Sequence, residues 1–420
     1  MTVCIIGGGI IGLCSAWYAA EQGFDVTVLE RGPESGDSCS LGNAGMIVPS
    51  HFVPLAAPGM MAYGLKQLTN PESPFWIRPK PTKELIDWGL KFMQSATQEH
   101  VERSAPLLRD LNNLSRAEYE RLAEAFGNEF GLVKRGLLML TKTQHALDEE
   151  IAMAAKARAL GIPAEALTPE ETAQLDPAIT MDVAGSVYFP NDCHLAPGKL
   201  VAGLTKRLRE RGVQIIYSAA VTGWVTTRGR VSAALTPAGQ FEADQFVLAG
   251  GAWSPEAAQG LGLSLPMQAG KGYSLTLENP KQLPELCSIF VEARVAVTPM
   301  GGTLRVGGTM EIAGNDLSVN PRRVAGIVKS VPRYFPAFSE DDFAGLTPWS
   351  GLRPVSPDGL PYLGRPAKWS NVVVATGHAM MGLSLGPVSG KLVGELLADQ
   401  SPSIALELLS PDRFSSASKG

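Results

Sequence analysis

Val3-Cys4-Ile5-Ile6, followed by Gly7-Gly8-Gly9-Ile10-Ile11-Gly12, is the stretch from which the fold is read. Four apolar residues, three of them β-branched, predict a buried strand. The next six fit G-x-G-x-x-G, and apolar residues from Leu13 to Gln22 predict a helix after it. Each glycine then has a physical reason. Gly7 permits the tight turn, Gly9 lets backbone approach a pyrophosphate, and Gly12 allows close packing of helix on strand. The helix N-terminus at Ile10 and Ile11 favours the anion.

A second strand, Asp25-Val26-Thr27-Val28-Leu29, ends in Glu30, 18 residues beyond Gly12. A carboxylate there can accept ribose hydroxyls. Farther on, Ser40-Leu41-Gly42-Asn43-Ala44-Gly45-Met46 is a chain of mostly small residues suited to a large flat ligand. Phe246-Val247-Leu248-Ala249-Gly250-Gly251-Ala252-Trp253 is another strand running into a glycine turn. Val374-Ala375-Thr376-Gly377-His378 and Gly382-Leu383-Ser384-Leu385-Gly386-Pro387 repeat strand, turn and helix start near the C-terminus. A nucleotide domain gathered from both ends and the middle of the chain fits FAD. An NAD enzyme usually completes its nucleotide domain contiguously.

Between these signals the pattern is helical from Thr82 to Phe130, then a strand over Gly136–Lys142 and a helix from about Ala146 to Leu160. Another helix over Leu195–Arg211 is opened by Pro197, with His194 read as capping or packing for it. Val213–Leu248 is β-rich, Tyr273–Gly308 alternates like antiparallel sheet, and Gly386–Leu397 is a closing helix. The 420 residues suffice for two intermixed domains, and a net charge of -5 gives no footprint for nucleic acid. Five dispersed cysteines with no Cys-x-x-Cys pair argue against a metal site and for a reducing compartment. With a first strand beginning at residue 2 and no long apolar span, a soluble cytoplasmic protein is expected.

These residues resemble the superfamily of D-amino-acid oxidase, glycine oxidase and D-amino-acid dehydrogenase. The resemblance covers nearly the whole chain. It is carried by the N-terminal fingerprint, Ser40–Met46, Lys271-Gly272-Tyr273-Ser274, Gly351-Leu352-Arg353-Pro354-Val355-Ser356-Pro357-Asp358-Gly359 and Gly377–Gly390. It is nearest to the bacterial D-amino-acid dehydrogenase branch. Gly42 stands where that branch more often has Ala, and Ala379-Met380-Met381 with Gly386-Pro387 look more like relatives that oxidise hydroxy-D-proline.

The resemblance implies an α/β fold. A discontinuous Rossmann-type FAD-binding domain would span 1–50, 186–262 and 345–420. An α+β substrate domain on a mainly antiparallel sheet would span 51–185 and 263–344. Carried over by position, Glu30 and Arg31 hold the adenosine end, and Ser40, Asn43, Ala44, Gly45 and Met46 line the pyrophosphate and flavin. Val221 meets the adenine edge, and Gly250 and Trp253 flank the nucleotide. Met381, Gly382, Leu383 and Ser384 stand at the flavin, the last three offering backbone N–H groups.

The implied activity is oxidative deamination of a small D-amino or D-imino acid by hydride transfer from Cα to flavin N5, with oxygen or a quinone as electron acceptor. The imine hydrolyses to a 2-oxo acid and ammonium, or remains a cyclic imine. A hydroxy-D-proline oxidase and a glycine- or sarcosine-type oxidase are alternatives within the family. An electron-transfer flavoprotein without catalysis and an NAD-linked dehydrogenase lie outside it.

Such chemistry needs a carboxylate anchor, and the planar fork of Arg353 suits one. The alternative is a structural arginine tying the Pro-rich turn to Asp358. Tyr273 is a second candidate for the carboxylate, against a tyrosine packed within a strand. His378 is placed to hydrogen-bond the cofactor and His51 to face the substrate, against ordinary packing for each. No catalytic acid or base is assigned, because hydride transfer from a neutral amine requires alignment above all. The loop Met46–Leu65, with Phe52, Met60, Met61 and Tyr63, fits a lid, a peripheral membrane contact or interdomain packing.

Overall fold

The strand Thr2–Ile6 is buried from Val3 onward and lies between two parallel neighbours, Asp25–Leu29 and Gln245–Leu248. A strand covered on both faces is uniformly apolar, as this one is, and each such side chain contributes roughly 1.5–3 kcal/mol. The sheet has six strands, in the order Tyr362–Gly364, Val372–Thr376, Gln245–Leu248, Thr2–Ile6, Asp25–Leu29 and Gln214–Ile216. All pairings are parallel except that of Tyr362–Gly364 with Val372–Thr376. The protein is described here by a computed structural model covering residues 1–36, 38–60, 62, 64, 72–78 and 82–415. Met61 and Tyr63 lie outside the described residues.

The helix Ile10–Glu21 packs on the closing helix Gly386–Leu397 at very close range. A Cβ on Gly390 would stand 2.5 Å from the Cys14 carbonyl carbon, so only glycine admits the contact. The helix Gln98–Ala125 joins this layer, with Tyr119, Leu122 and Phe126 in one core with Leu13, Cys14 and Trp17. The helical pattern from Thr82 is interrupted at Ala96-Thr97, giving helices Lys83–Ser95 and Gln98–Ala125. Thr97 is the reason: its hydroxyl accepts the His100 N–H and caps a new helix.

A second sheet has nine strands. From the edge strand Trp349–Val355 inward, Gln268–Leu277, Thr303–Ile312 and Val295–Met300 follow in antiparallel order. Two pairings are parallel: Cys287–Phe290 with Leu137–Thr141, and Phe75–Ile77 with Thr303–Ile312. The fold is therefore α/β, a Rossmann-type parallel sheet beside a mainly antiparallel one. Gly185–Phe189 and Trp349–Val355 are strands of the nine-stranded sheet, and the helix Gln98–Ala125 packs on the six-stranded side. The sequence boundaries had assigned each to the other body; their apolar faces decide otherwise. Among the described residues, no helix is long and apolar enough to cross a membrane.

Candidate active site

The carboxyl edge of the six-stranded sheet gathers the glycine turns. Gly7 N–H donates to Leu29 O at 2.8 Å, and Ala249 N–H donates to Ile6 O at 2.9 Å, which draws three strand ends together. Gly7 has φ +112°, and a Cβ there would meet Ala249 O at 2.5 Å. Above Gly9 the nearest atom to such a Cβ is Ser40 Oγ at 3.6 Å, so a side chain there would project into open space over the helix N-terminus. Gly12 packs against the Gly7 carbonyl, where a Cβ would stand at 1.8 Å.

The space above these turns is a cavity of about 990 Å³. Every candidate residue named from the sequence lines it except Gly12 and Gly45. Gly12 serves helix packing, and Gly45 (φ +76°) turns beneath the Leu195 carbonyl, 2.2 Å from where its Cβ would be.

At one end of the cavity, Glu30 accepts the N–H groups of Gly8 at 2.6 Å and Gly32 at 2.7 Å. A carboxylate has roughly four acceptor sites, so capacity remains for ribose hydroxyls. Arg31 lies over the Trp253 ring at 4.1 Å, and Val221 and Gly250 complete this end. Ser40 Oγ accepts the Ile10 N–H at 2.9 Å.

At the other end, the N–H groups of Gly382, Leu383 and Ser384 find no protein acceptor among the described residues, although all three line the cavity. Their carbonyls and side chains are held from behind. Tyr119 donates to Leu383 O at 2.6 Å, Ser115 donates to Ser384 O at 2.6 Å, and Ser384 Oγ donates to Asn112 at 2.9 Å. Backbone donors left open at a rigid turn fit an acceptor-rich ring such as isoalloxazine. A glycine cradle over a helix N-terminus, a ribose-binding acid and these open donors together fit FAD.

Arg353 stands on the strand Trp349–Val355 and lines the cavity. Its neighbours across the sheet are Gly270 and, diagonally, Gly272, where a Cβ would lie 2.2 Å from the guanidinium. One Nη donates to the Thr309 carbonyl. Thr309 sits at a bulge with φ +71°, an unusual conformation for a β-branched residue, and that turn aims its carbonyl at Arg353. Among the described residues Arg353 makes no ion pair, and burial pulls its pKa below the ordinary value. Asp358, the alternative partner, is bound by Arg413 through contacts of 2.7 and 3.0 Å. Arg353 is therefore an unpaired, partly desolvated cation in a cavity, the arrangement that favours an incoming carboxylate.

Tyr273 does not share that face. Strand alternation turns it away from Gly272, its ring packs with Val295 and Ile327, and its hydroxyl donates to Glu311 at 2.8 Å. Glu311 is in turn 3.6 Å from buried Lys271. Its hydroxyl proton is thus committed to Glu311, although the residue lines the cavity where a substrate carboxylate was expected to meet it. His378 is neutral, pulled down to about 3 by burial, and its Nε2 meets Ser389 Oγ at 2.8 Å. That bond ties the ring to the closing helix, while Nδ1 finds no partner among the described residues and the side chain lines the cavity, which leaves the expected cofactor contact to Nδ1. His51 lines the cavity and is likewise lowered by burial, to about 4. His194 packs in a short strand opposite Met46, and Ala196 stands at the helix cap.

Sequence reasoning missed the groups that hold the loop 40–46. Arg305 donates to Leu41 O at 2.8 Å and Asn43 O at 2.9 Å, and Ser274 donates to Gly42 O at 2.9 Å. It missed Trp349 as well, whose ring would be 2.0 Å from a Cβ on Gly42 and equally close to one on Gly351. The indole leaves no room for a Cβ at residue 42, which accounts for glycine there. No local signal in the sequence linked residues about 300 positions apart.

Fold and cavity define a flavin-dependent oxidoreductase. The chain belongs to the family of FAD dependent oxidoreductases (DAO), whose model matches residues 2–396. It is 33% identical over 426 aligned residues to a D-amino acid dehydrogenase of Bradyrhizobium diazoefficiens, covering 99% of each chain. It is 32% identical to a D-amino acid dehydrogenase of Neisseria meningitidis, covering 99% of this chain and all of the relative. Among solved structures it is similar in fold to glycine oxidase from Geobacillus kaustophilus, with a TM-score of 0.79, 24% identity and 98% of each chain covered. L-proline dehydrogenase from P. horikoshii superposes with a TM-score of 0.75 at 18% identity, covering 98% of this chain and 97% of that one.

Proposed function

We propose that the protein oxidises the CH–NH bond of a small D-amino or D-imino acid, releasing an imine that hydrolyses to a 2-oxo acid and ammonium or, from a cyclic substrate, stays a cyclic imine. One observation carries this reading: Arg353, with no ion pair among the described residues, lines the cavity from a strand of the nine-stranded sheet. Its fork takes the substrate carboxylate bidentately and fixes Cα. When bound, FAD supplies the hydride acceptor. Glu30, Arg31 and Val221 take its adenosine end, and the open N–H groups of Gly382–Ser384 take the ring end. The two sheets are the cores of a cofactor domain and a substrate domain.

The D configuration rests on the resemblance and on what the two full-length relatives are called. It is tested by anaerobic bleaching of the flavin across D-amino acids, D-proline, hydroxy-D-prolines, glycine and their L counterparts. Bleaching by D forms is expected. Bleaching by L forms alone overturns the stereochemistry, and a flavin indifferent to every amino and imino acid overturns the activity.

A further inference from the structure

After the strand Met46–Ile47 the chain turns at Val48–His51, where His51 N–H donates to Val48 O at 2.9 Å. Asp192, wholly buried, lies under this turn. It accepts the Ser50 N–H through Oδ1 at 3.0 Å and the Ser50 hydroxyl through Oδ2 at 2.5 Å. Ser50 Oγ also lies 3.0 Å from His51 Nδ1. An ionised carboxylate only accepts, so the Ser50 proton is directed to Asp192 and Nδ1 must carry the imidazole proton toward Ser50. Nε2 then holds a lone pair, makes no hydrogen bond among the described residues, and belongs to a side chain lining the cavity. Tying down the turn requires only Asp192 and Ser50. The imidazole extends the connection to the cavity.

We propose that His51, Ser50 and Asp192 form a proton relay that removes the proton from the ammonium group of the bound substrate, leaving the neutral amine from which hydride can depart. This rests on the amino-acid reading above. In the transfer, an ammonium N–H bond breaks and Nε2–H forms. Nδ1–H breaks as a new Ser50 O–H forms, and the original Ser50 O–H breaks as Asp192 O–H forms. No electrons change hands. The substrate loses a positive charge, Asp192 loses a negative one, and the imidazole ends neutral in its other tautomer.

Surrounding charges suit this direction. Burial pulls His51 down to about 4, so the ring passes the proton on, and burial pushes Asp192 up to about 7, so it can keep one. Arg116, from the helix Gln98–Ala125, faces Asp192 and opposes that rise. The Cys193 and Cys287 thiols beside it are raised by burial and uncharged, with Glu120 beyond Cys193. Below about 7, Asp192 already holds its proton and the relay is closed.

The test follows anaerobic reduction of the FAD-loaded full chain by saturating D-alanine and D-proline from about pH 5 to about pH 10. The wild-type limiting rate should rise through an inflection near 7. Ser50→Ala and Asp192→Asn should lower the neutral-pH rate roughly 100-fold, erase the inflection and rejoin the wild type at alkaline pH, where the amine is already neutral. Ser50→Thr, which keeps a hydroxyl, should restore rate and inflection. A Ser50→Ala profile parallel to the wild type, or a wild-type profile without the inflection, overturns the relay alone. No flavin reduction by these two or by any other amino or imino acid overturns the functional reading and the relay with it.

Discussion

A glycine can be required for what it lacks, and Gly42 is such a case. Trp349 fills the space where its Cβ would go, so the indole is held between Gly42 and Gly351. Gly42→Ala should therefore lower stability by about 1–3 kcal/mol, the usual cost of overpacking. Combining it with Trp349→Leu should recover most of that loss, a coupling that a double-mutant cycle in urea reads directly. Additive losses would mean that the indole does not decide residue 42. The fingerprint glycines and Glu30 were legible because their spacing carries the chemistry. The role of Trp349 was not, because nothing near residue 42 announces a partner on a distant strand. Tyr273 misled for the opposite reason: its motif was right, but one step along a strand reverses the face.

Elements were legible where period and caps agree. The strands at 2–6 and 25–29 and the helix at Gly386–Leu397 follow from their patterns. The break at Ala96-Thr97 was hidden because apolar spacing continues across it, and only the Thr97 cap marks it. Helix contacts are also silent in sequence. Gly390→Ala shows the point: in an exposed helix that change stabilises by about 1 kcal/mol, yet here the added Cβ meets the backbone of Cys14. The prediction is the reverse sign, a loss of about 2 kcal/mol in thermal or chemical unfolding, with weaker FAD retention because the displaced helix carries the nucleotide turn. A stabilised variant with normal FAD content would contradict this packing.

On the scale of the whole molecule, residues of two sheets line one cavity, and the segment around Arg413 is tied back to the turn at Asp358–Leu360. Arg413, beyond the matched family segment, donates to Asp358 through Nε and Nη2 and reaches Leu360 O at 2.8 Å. The pair is mostly buried, so Arg413→Ala leaves an unpaired carboxylate and should cost about 3–5 kcal/mol of stability. Calorimetry of the FAD-loaded protein would show it, and a Tm within error of wild type would refute it. The discontinuous plan was visible in sequence because each glycine turn follows a strand. The exchange of Gly185–Phe189 and Trp349–Val355 between bodies was not, since a strand's pattern does not name its sheet.

The central claim is that Arg353 grips the acid group of the substrate beside the flavin. Spectral titration of the oxidised, FAD-loaded protein with a 2-oxo acid measures that grip without turnover. Arg353→Ala should weaken binding roughly 100-fold or more, the equivalent of about 3 kcal/mol for a desolvated ion pair, while leaving FAD content intact. An unchanged dissociation constant in that variant would contradict the account.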